Sequence, residues 1–325
     1  SRSRHTRSGI MSRGLGDVYK RQKENSMLQY EYAREALKNG LVLEHDLGIN
    51  PYKFGMVGST DSHTSLATAA EENFFGKHSG NEPSPHRAEG IVGRFEDRVY
   101  WDWEMVSSGY AAVWATENTR EALFDAMERK EVYATTGSRI LVRFFGGWEF
   151  DEKDAQNRLP AEIGYVKGVP MGGDLYRNKE GKAPTFLVGA MKDPLSGNLD
   201  RIQIIKGWMD AKGNTHEKVY NVAWSDMEQR KPDKNGKLPL VGNTVDVPNA
   251  TWTNTIGDPE LIAVWEDPDF NPDLRAFYYA RVIEIPTPRW TAYDQKRFGV
   301  SMPEESPMFT QERAYTSPIW YNPGN

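Results

Sequence analysis

Two residues able to hold a metal stand two apart in the stretch Gly58-Ser59-Thr60-Asp61-Ser62-His63-Thr64. Asp61 offers an anionic oxygen and His63 a neutral nitrogen, a donor pair that suits a divalent ion. The apolar run Phe54-Gly55-Met56-Val57 just before them predicts a short buried strand. At a strand end, side chains two apart project the same way, so the carboxylate and the imidazole would leave it together. Hydroxyls from Ser59, Thr60, Ser62 and Thr64 are placed to form an outer shell around such a site. As a bare triplet the pattern is weak, and an Asp–His hydrogen bond in a loop is the competing reading. His78 reads either as a packing histidine or as a proton donor or substrate contact. Arg139, next to Thr135 and Thr136, reads either as a clamp for an oxyanion or as one half of a structural ion pair.

The elements around these residues set their placement. Asn25 or Ser26 caps a helix running to about Asn39, with Gly40 as its stop and Leu41 to Leu47 continuing beyond it. Asn50-Pro51 breaks that helix. Ser65 to Glu72 predicts a short helix, whose N-terminus would favour an oxyanion. A helix, a loop, a buried strand and a polar site at its C-terminal end is the grammar of an α/β barrel. Gly80 to Arg94 reads as a loop with His86 solvated. Trp101, Trp103, Met105, Tyr110 and Trp114 read as core, and Asn118-Thr119-Arg120-Glu121 as a capping box opening a helix. From about residue 140 the pattern changes to strand-like runs separated by turn residues: Ile140–Phe145, Thr185–Met191, Arg201–Trp208, Lys218–Trp224, Thr244–Val247, Leu261–Trp265 and Phe277–Ile285. With no clear helix between them, they predict an antiparallel β-sandwich or a β-rich elaboration of the barrel. The Pro-rich tail from Pro286 to Asn325 is expected to wrap the surface.

Composition narrows the chemistry. The chain has no cysteine, so a metal must be held by His, Asp, Glu or backbone oxygen. Zinc, manganese, iron and magnesium suit such ligands. No apolar run is long enough to span a membrane. Residues 1–23 carry seven Lys or Arg and one acid. Taken from totals of 40 and 46, this leaves 33 basic and 45 acidic residues, a body of net charge −12. Such a body argues against general nucleic-acid binding, though not against an anionic substrate next to a metal. The segment containing Gly14-Leu15-Gly16-Asp17-Val18-Tyr19-Lys20-Arg21-Gln22 resembles translated adapter sequence and is set aside from fold reasoning. On that reading the native N-terminus is missing and the compartment stays open between cytoplasm and export.

The stretch Phe54 to Thr64, preceded by Leu47-Gly48-Ile49-Asn50-Pro51, resembles the last metal motif of PHP-type (polymerase and histidinol phosphatase) proteins. The nearest resemblance is to domain of unknown function 3604. Further stretches match it in order: Asn73 to His78, Thr119 to Phe124, Tyr133 to Arg139, Arg143 to Trp148, Arg201 to Trp208, Phe277 to Val282 and Gln311 to Tyr321. The resemblance implies a distorted β/α barrel holding two or three divalent metals at its strand ends. It also implies metal-assisted hydrolysis of a phosphoester or related small-molecule ester. Asp61 and His63 carry over as metal ligands. The His-x-His pair that opens such sites is absent from the six histidines here. A site needs about three protein ligands, so the fragment alone is expected to hold metal weakly and to be inactive.

Three segments follow from this reading: 1–23, non-native or disordered; 24–140, the C-terminal part of a barrel with the metal motif; and 141–325, a β-rich region. Asp61, His78 and Arg139 are the expected catalytic residues, and Asp61 and His63 the metal ligands. Oligomeric state, substrate and metal identity are left open. A function from another class, a non-catalytic β-sandwich module binding carbohydrate or protein, stands as the alternative.

Overall fold

The structure is a computed structural model and describes residues 32–66, 69–95, 98–107, 109–157, 159–234 and 236–324. The expected cap at Asn25 or Ser26 and the segment 1–23 lie outside these residues.

Alternating side chains build two facing sheets. The larger runs β10 (Thr215–Trp224), β9 (Leu199–Met209), β12 (Ala276–Glu284), β15 (Arg313–Thr316), β4 (Val132–Thr135) and β3 (Ala111–Val113). β16 (Ile319–Asn322) also pairs with β12 and joins β7 (Asp174–Tyr176) to the sheet in parallel. The smaller sheet runs β11 (Glu260–Glu266), β8 (Thr185–Met191), β5 (Leu141–Gly147) and β6 (Gly168–Pro170), antiparallel throughout. A separate hairpin joins β1 (Ile91–Phe95) and β2 (Arg98–Trp101), and the short β13 (Thr287–Pro288) pairs with β14 (Phe309–Thr310). The molecule is therefore mixed α/β with extensive sheet, and no closed barrel is present among the described residues.

Period-2 burial decides which face each residue takes. Ile202 and Ile204 of β9, with Tyr278, Ala280 and Val282 of β12, meet Val142, Phe144, Phe186 and Val188 of the smaller sheet. The intervening Ile205, Met209, Phe277 and Tyr279 turn to the opposite face, against Leu37 and Leu41 of α1 (Ala33–Leu47). Gly40 does not stop this helix. It lies inside it, where a Cβ would stand 2.3 Å from Asn50 Oδ1; the stop is Gly48, in the left-handed conformation at φ 76°.

Several sequence expectations change here. Phe54 to Val57 belongs to no strand. Residues 65–72 form no α-helix among the described positions; only a 3-10 turn stands at Glu71–Asn73, where Glu71 accepts from Ser107 Oγ and Trp290 N–H. Thr119, not Asn118, caps α2 (Arg120–Glu128), accepting from Ala122 N–H at 3.3 Å. A helix not foreseen between strands, α3 (Pro160–Lys167), follows β5, with proline at its first turn. Thr244–Val247 supplies only a single bridge, Asp246 to Thr251. The tail does not wrap the surface: it contributes α4 (Trp290–Phe298) and two strands of the large sheet, with Ala314, Ile319 and Trp320 buried. β3 and β4, which precede residue 140, hydrogen-bond into that same sheet through β15.

Candidate functional site

The Asp61 loop is seated by close backbone approach. A Cβ on Gly58 would stand 2.6 Å from Tyr110 O and 2.7 Å from Thr135 O, so only glycine lets the chain lie against β4 here. Just upstream, Met56 N–H donates to Ser317 Oγ at 2.9 Å, and Ser317 donates in turn to Val132 O at 2.7 Å. Asp61 then takes φ 50°, a left-handed conformation that aspartate tolerates better than most residues. Neither Asp61 nor His63 lies in a strand, so the expected alternation along a strand is not what orients them. The hydroxyls close local turns instead: Ser59 Oγ accepts from Asp61 N–H, and Ser62 and Thr64 bond each other at 2.7 Å.

What the loop meets is the segment at Lys77-His78. His63 N–H donates to Lys77 O at 2.7 Å, and Lys77 Nζ donates back to Thr60 O at 2.5 Å. This two-way clasp brings the rings of His63 and His78 to 4.8 Å between centroids, tilted by 41°. His63 and Asp61 are exposed, whereas His78 is partly buried, with Nδ1 shut off from solvent and lacking a hydrogen-bond partner. Burial lowers the His78 pKa first, and the neighbouring His63 adds to this; Asp61 and Asp102 pull the other way. Lys77 is also lowered by burial, while the carboxylates of Asp61 and Glu71 oppose the shift. Asp102, 5% exposed, keeps Oδ1 unpaired, and burial raises its pKa.

Asp61 and His63 therefore both stand close enough to His78 to act on it. Two imidazoles and a carboxylate, with an orphaned nitrogen among them, are chemically the donor set of a divalent ion. Even so, no group of three or more His, Asp or Glu side chains converges closely enough to enclose one among the described residues.

Arg139 stands elsewhere. Its guanidinium is exposed over the Tyr110 ring at 5.4 Å, and no carboxylate among the described residues pairs with it. Its backbone N–H donates to Asp193 Oδ2 at 2.8 Å. It lies on the wall of a cavity of about 240 Å³ shared with Glu71 and Glu312. Glu71 accepts from Ser107 Oγ and Trp290 N–H, each at 2.7 Å, and burial raises its pKa. Glu312 is bonded by the Thr136 hydroxyl, and burial, with the charge of Glu71, takes it to about 7. Behind the wall, Glu284 is fully buried between the hydroxyls of Ser138 and Ser196 and stands at about 8.

These three glutamates were not singled out from the sequence. One signal was available: Glu284 sits in the apolar run Ile283-Glu284-Ile285, and a lone acid in a buried strand is unusual unless paired or neutral.

A two-sheet α/β protein with a histidine-bearing loop clasped against a second histidine is the class these observations define. The sequence profile of the family described as Protein of unknown function (DUF3604) matches residues 14–323, and the chain belongs to that family. No curated protein and no solved structure matched it.

Proposed function

We propose that this chain is part of a PHP-like, metal-dependent hydrolase acting on a phosphoester or related small-molecule ester. The observation that carries the reading is the His63–His78 pair, 4.8 Å apart, with His78 Nδ1 buried and unpaired near the Asp61 carboxylate. A buried polar atom left without a partner is costly unless something binds it. Because the three do not converge on one point among the described residues, His63 with either Asp61 or His78 would hold a divalent ion such as zinc, manganese or iron, the remaining donors coming from residues outside those described. Such an ion supplies Lewis acidity and activates water at neutral pH. The chain's own residues do the rest: the Lys77 clasp fixes the loop that bears Asp61 and His63. Away from that group, the Arg139 guanidinium, with no carboxylate partner among the described residues, offers a fork for an oxyanion. In this reading the segment around residues 24–140 is the end of the barrel, completed by structure beyond it.

The test is metal content and hydrolysis of phosphate, phosphonate and sulfate esters, with and without chelator, for this chain and a longer member of the family. Chelator-sensitive turnover, lost together with bound metal in His63→Ala and His78→Ala, is the expected result. Metal retention unchanged in both variants sinks the assignment. The alternative of a binding or assembly module draws less support, because Phe144, Phe186, Tyr278 and Trp320 are spent on the core.

A further inference from the structure

We propose that the face of the large sheet turned away from the smaller one binds a tetrahedral dianion, a phosphate or sulfate group, held by Arg201, Arg281 and Arg313. The inference goes beyond the hydrolase reading and does not rest on it. None of the three arginines belongs to the His63–His78 group or to the Arg139 cavity.

Strand register brings the three together. Ile202, Val282 and Ala314 point into the core between the sheets. Their chain neighbours, Arg201 on β9, Arg281 on β12 and Arg313 on β15, therefore point to the opposite face. Ile283 stands opposite Arg201 on one side and opposite Arg313 on the other. Arg281, two residues before it, is thus diagonal to both, ~7–8 Å away at the backbone and within reach of a long side chain. Burial lowers the Arg201 pKa first; Asp200 opposes the shift, and the charges of Arg230, Arg281 and Arg313 add to it.

Like charges this near repel, and the protein itself offsets little of that. Asp200 pairs with Arg201 but is shared with the buried Arg230, at 2.6 Å. Arg281 has no carboxylate partner among the described residues; its Nε and Nη2 donate to Gln203 Oε1 at 2.9 and 2.6 Å. Gln203 is fixed in turn by donating to Asn221 Oδ1 at 2.8 Å. A buried amide thus aims the Arg281 fork without neutralising it. Arg313 is exposed, and its side chain forms no ion pair among the described residues. The other acids of this face are spent elsewhere: Glu217 pairs with Arg34 and Lys38, and Asp174 with Lys53. Glu312, beside Arg313 in the chain, takes the Thr136 hydroxyl and lines the Arg139 cavity. Arg201, Arg230, Arg281 and Arg313 therefore share one paired carboxylate, in a chain of net charge −6. Folding alone disfavours such a cluster, and a bound anion supplies the missing charge. A phosphate or sulfate suits it better than a carboxylate does, because its tetrahedral oxygens can be divided among several guanidinium forks.

Binding is tested on the full chain, treated with chelator so that no metal ion holds the anion elsewhere. Titration calorimetry with inorganic phosphate and sulfate, at an ionic strength fixed by sodium chloride, should give saturable binding. Succinate, a dianion built from carboxylates, should bind at least ~5-fold more weakly. Arg281→Gln and Arg313→Gln should each weaken phosphate and sulfate binding by ~5–20-fold. Arg177→Gln, which removes an exposed arginine already paired with Asp273, should leave it unchanged. In chloride alone Arg313→Gln should melt no lower than the parent, because it relieves repulsion; a structural role would predict the reverse. Glycerol phosphate, run alongside, tells an ester from the free ion: tighter binding of the ester assigns the former, and tighter binding of inorganic phosphate the latter. Dianions that bind no better than succinate overturn the proposal, as does phosphate binding that neither arginine variant weakens. A marked fall in the melting temperature of Arg313→Gln overturns it too, since Arg313 would then be neutralised within the protein.

Discussion

Replacing Arg87 should be among the most damaging single changes in this protein, although Arg87 lies in a single 3-10 turn, Arg87–Glu89. Its side chain is 3% exposed, and its Nε donates to Asp294 Oδ2 at 2.6 Å, where the carboxylate is 1% exposed. Its Nη1 donates to Phe74 O at 2.9 Å and to Asn81 O at 3.2 Å, and its guanidinium lies 4.2 Å from the centre of the Trp290 ring. Burial lowers the Arg87 pKa and raises that of Asp294, so desolvation of the pair outweighs its attraction. That is the condition under which removing one partner costs far more than removing both. Arg87→Met strands Asp294, whose remaining cation is Arg297 at 3.5 Å and half-exposed. The expected loss is ~3–5 kcal/mol, or roughly 6–20 °C at ~2–4 °C per kcal/mol. Arg87→Met combined with Asp294→Leu should recover at least about half of that loss, since no charge is then left buried. Thermal and urea unfolding of the four proteins in this cycle supply the measurement. A single variant within about 1 kcal/mol of the parent, or a double variant no better than the single one, would refute the reasoning.

Other consequences are as specific. Gly58→Ala places a methyl against two backbone oxygens that cannot swing aside; about 1–3 kcal/mol should be lost, and the His63 and His78 ring signals should shift in NMR spectra, whereas unchanged spectra would contradict the packing. Glu284 at about 8 and Glu312 at about 7 both stand above the ordinary glutamate value. Their stabilising share is complete below about pH 4.5 and is lost as pH rises towards 7–8. Urea midpoints should fall across that window, and Glu284→Gln should flatten the fall; a parallel profile in the variant would rule out Glu284 as its source. Asp61→Asn keeps a residue suited to φ 50° while removing the charge, so it should melt within about 1 kcal/mol of the parent, and Asp61→Val should lose more. Equal melting temperatures for the two would show that the left-handed turn carries no strain.

Much of the two sheets was legible because their strands carry their own signal. Thr185–Met191 matches its predicted bounds, and the runs at 201–208 and 277–285 differ from β9 and β12 by only a few residues. In β12 alternate residues are committed to opposite apolar faces, so the whole segment reads as hydrophobic and nothing competes with a strand. The misses came where tertiary contact overrides local preference. Gly40 looked like a stop because isolated glycine weakens a helix, but the Asn50 side chain occupies the space a Cβ would need, and the buried face continues past it through Leu41. The tail looked like a surface wrap because of its prolines, yet Pro318 sits beside a segment whose Ile319 and Trp320 close the core against β12.

The site divides along the same line. Asp61 and His63 could be noticed because they are near one another in sequence, but their proximity there did not orient them; the turn at Asp61 did. His78 gains its meaning only from the clasp between His63 and Lys77, a pair of hydrogen bonds across a loop with no periodic pattern. Glu71, Glu284 and Glu312 are further from legibility still, since they come from a 3-10 turn, a strand and the edge of another strand. Their unusual chemistry arises from burial imposed by neighbours each of them lacks in sequence. A sequence pattern can nominate a ligand pair, but a cavity is a property of several chain segments at once. In this family, function should therefore be sought by varying the walls of the Arg139 cavity and the His63–His78 pair independently, because different parts of the chain build them.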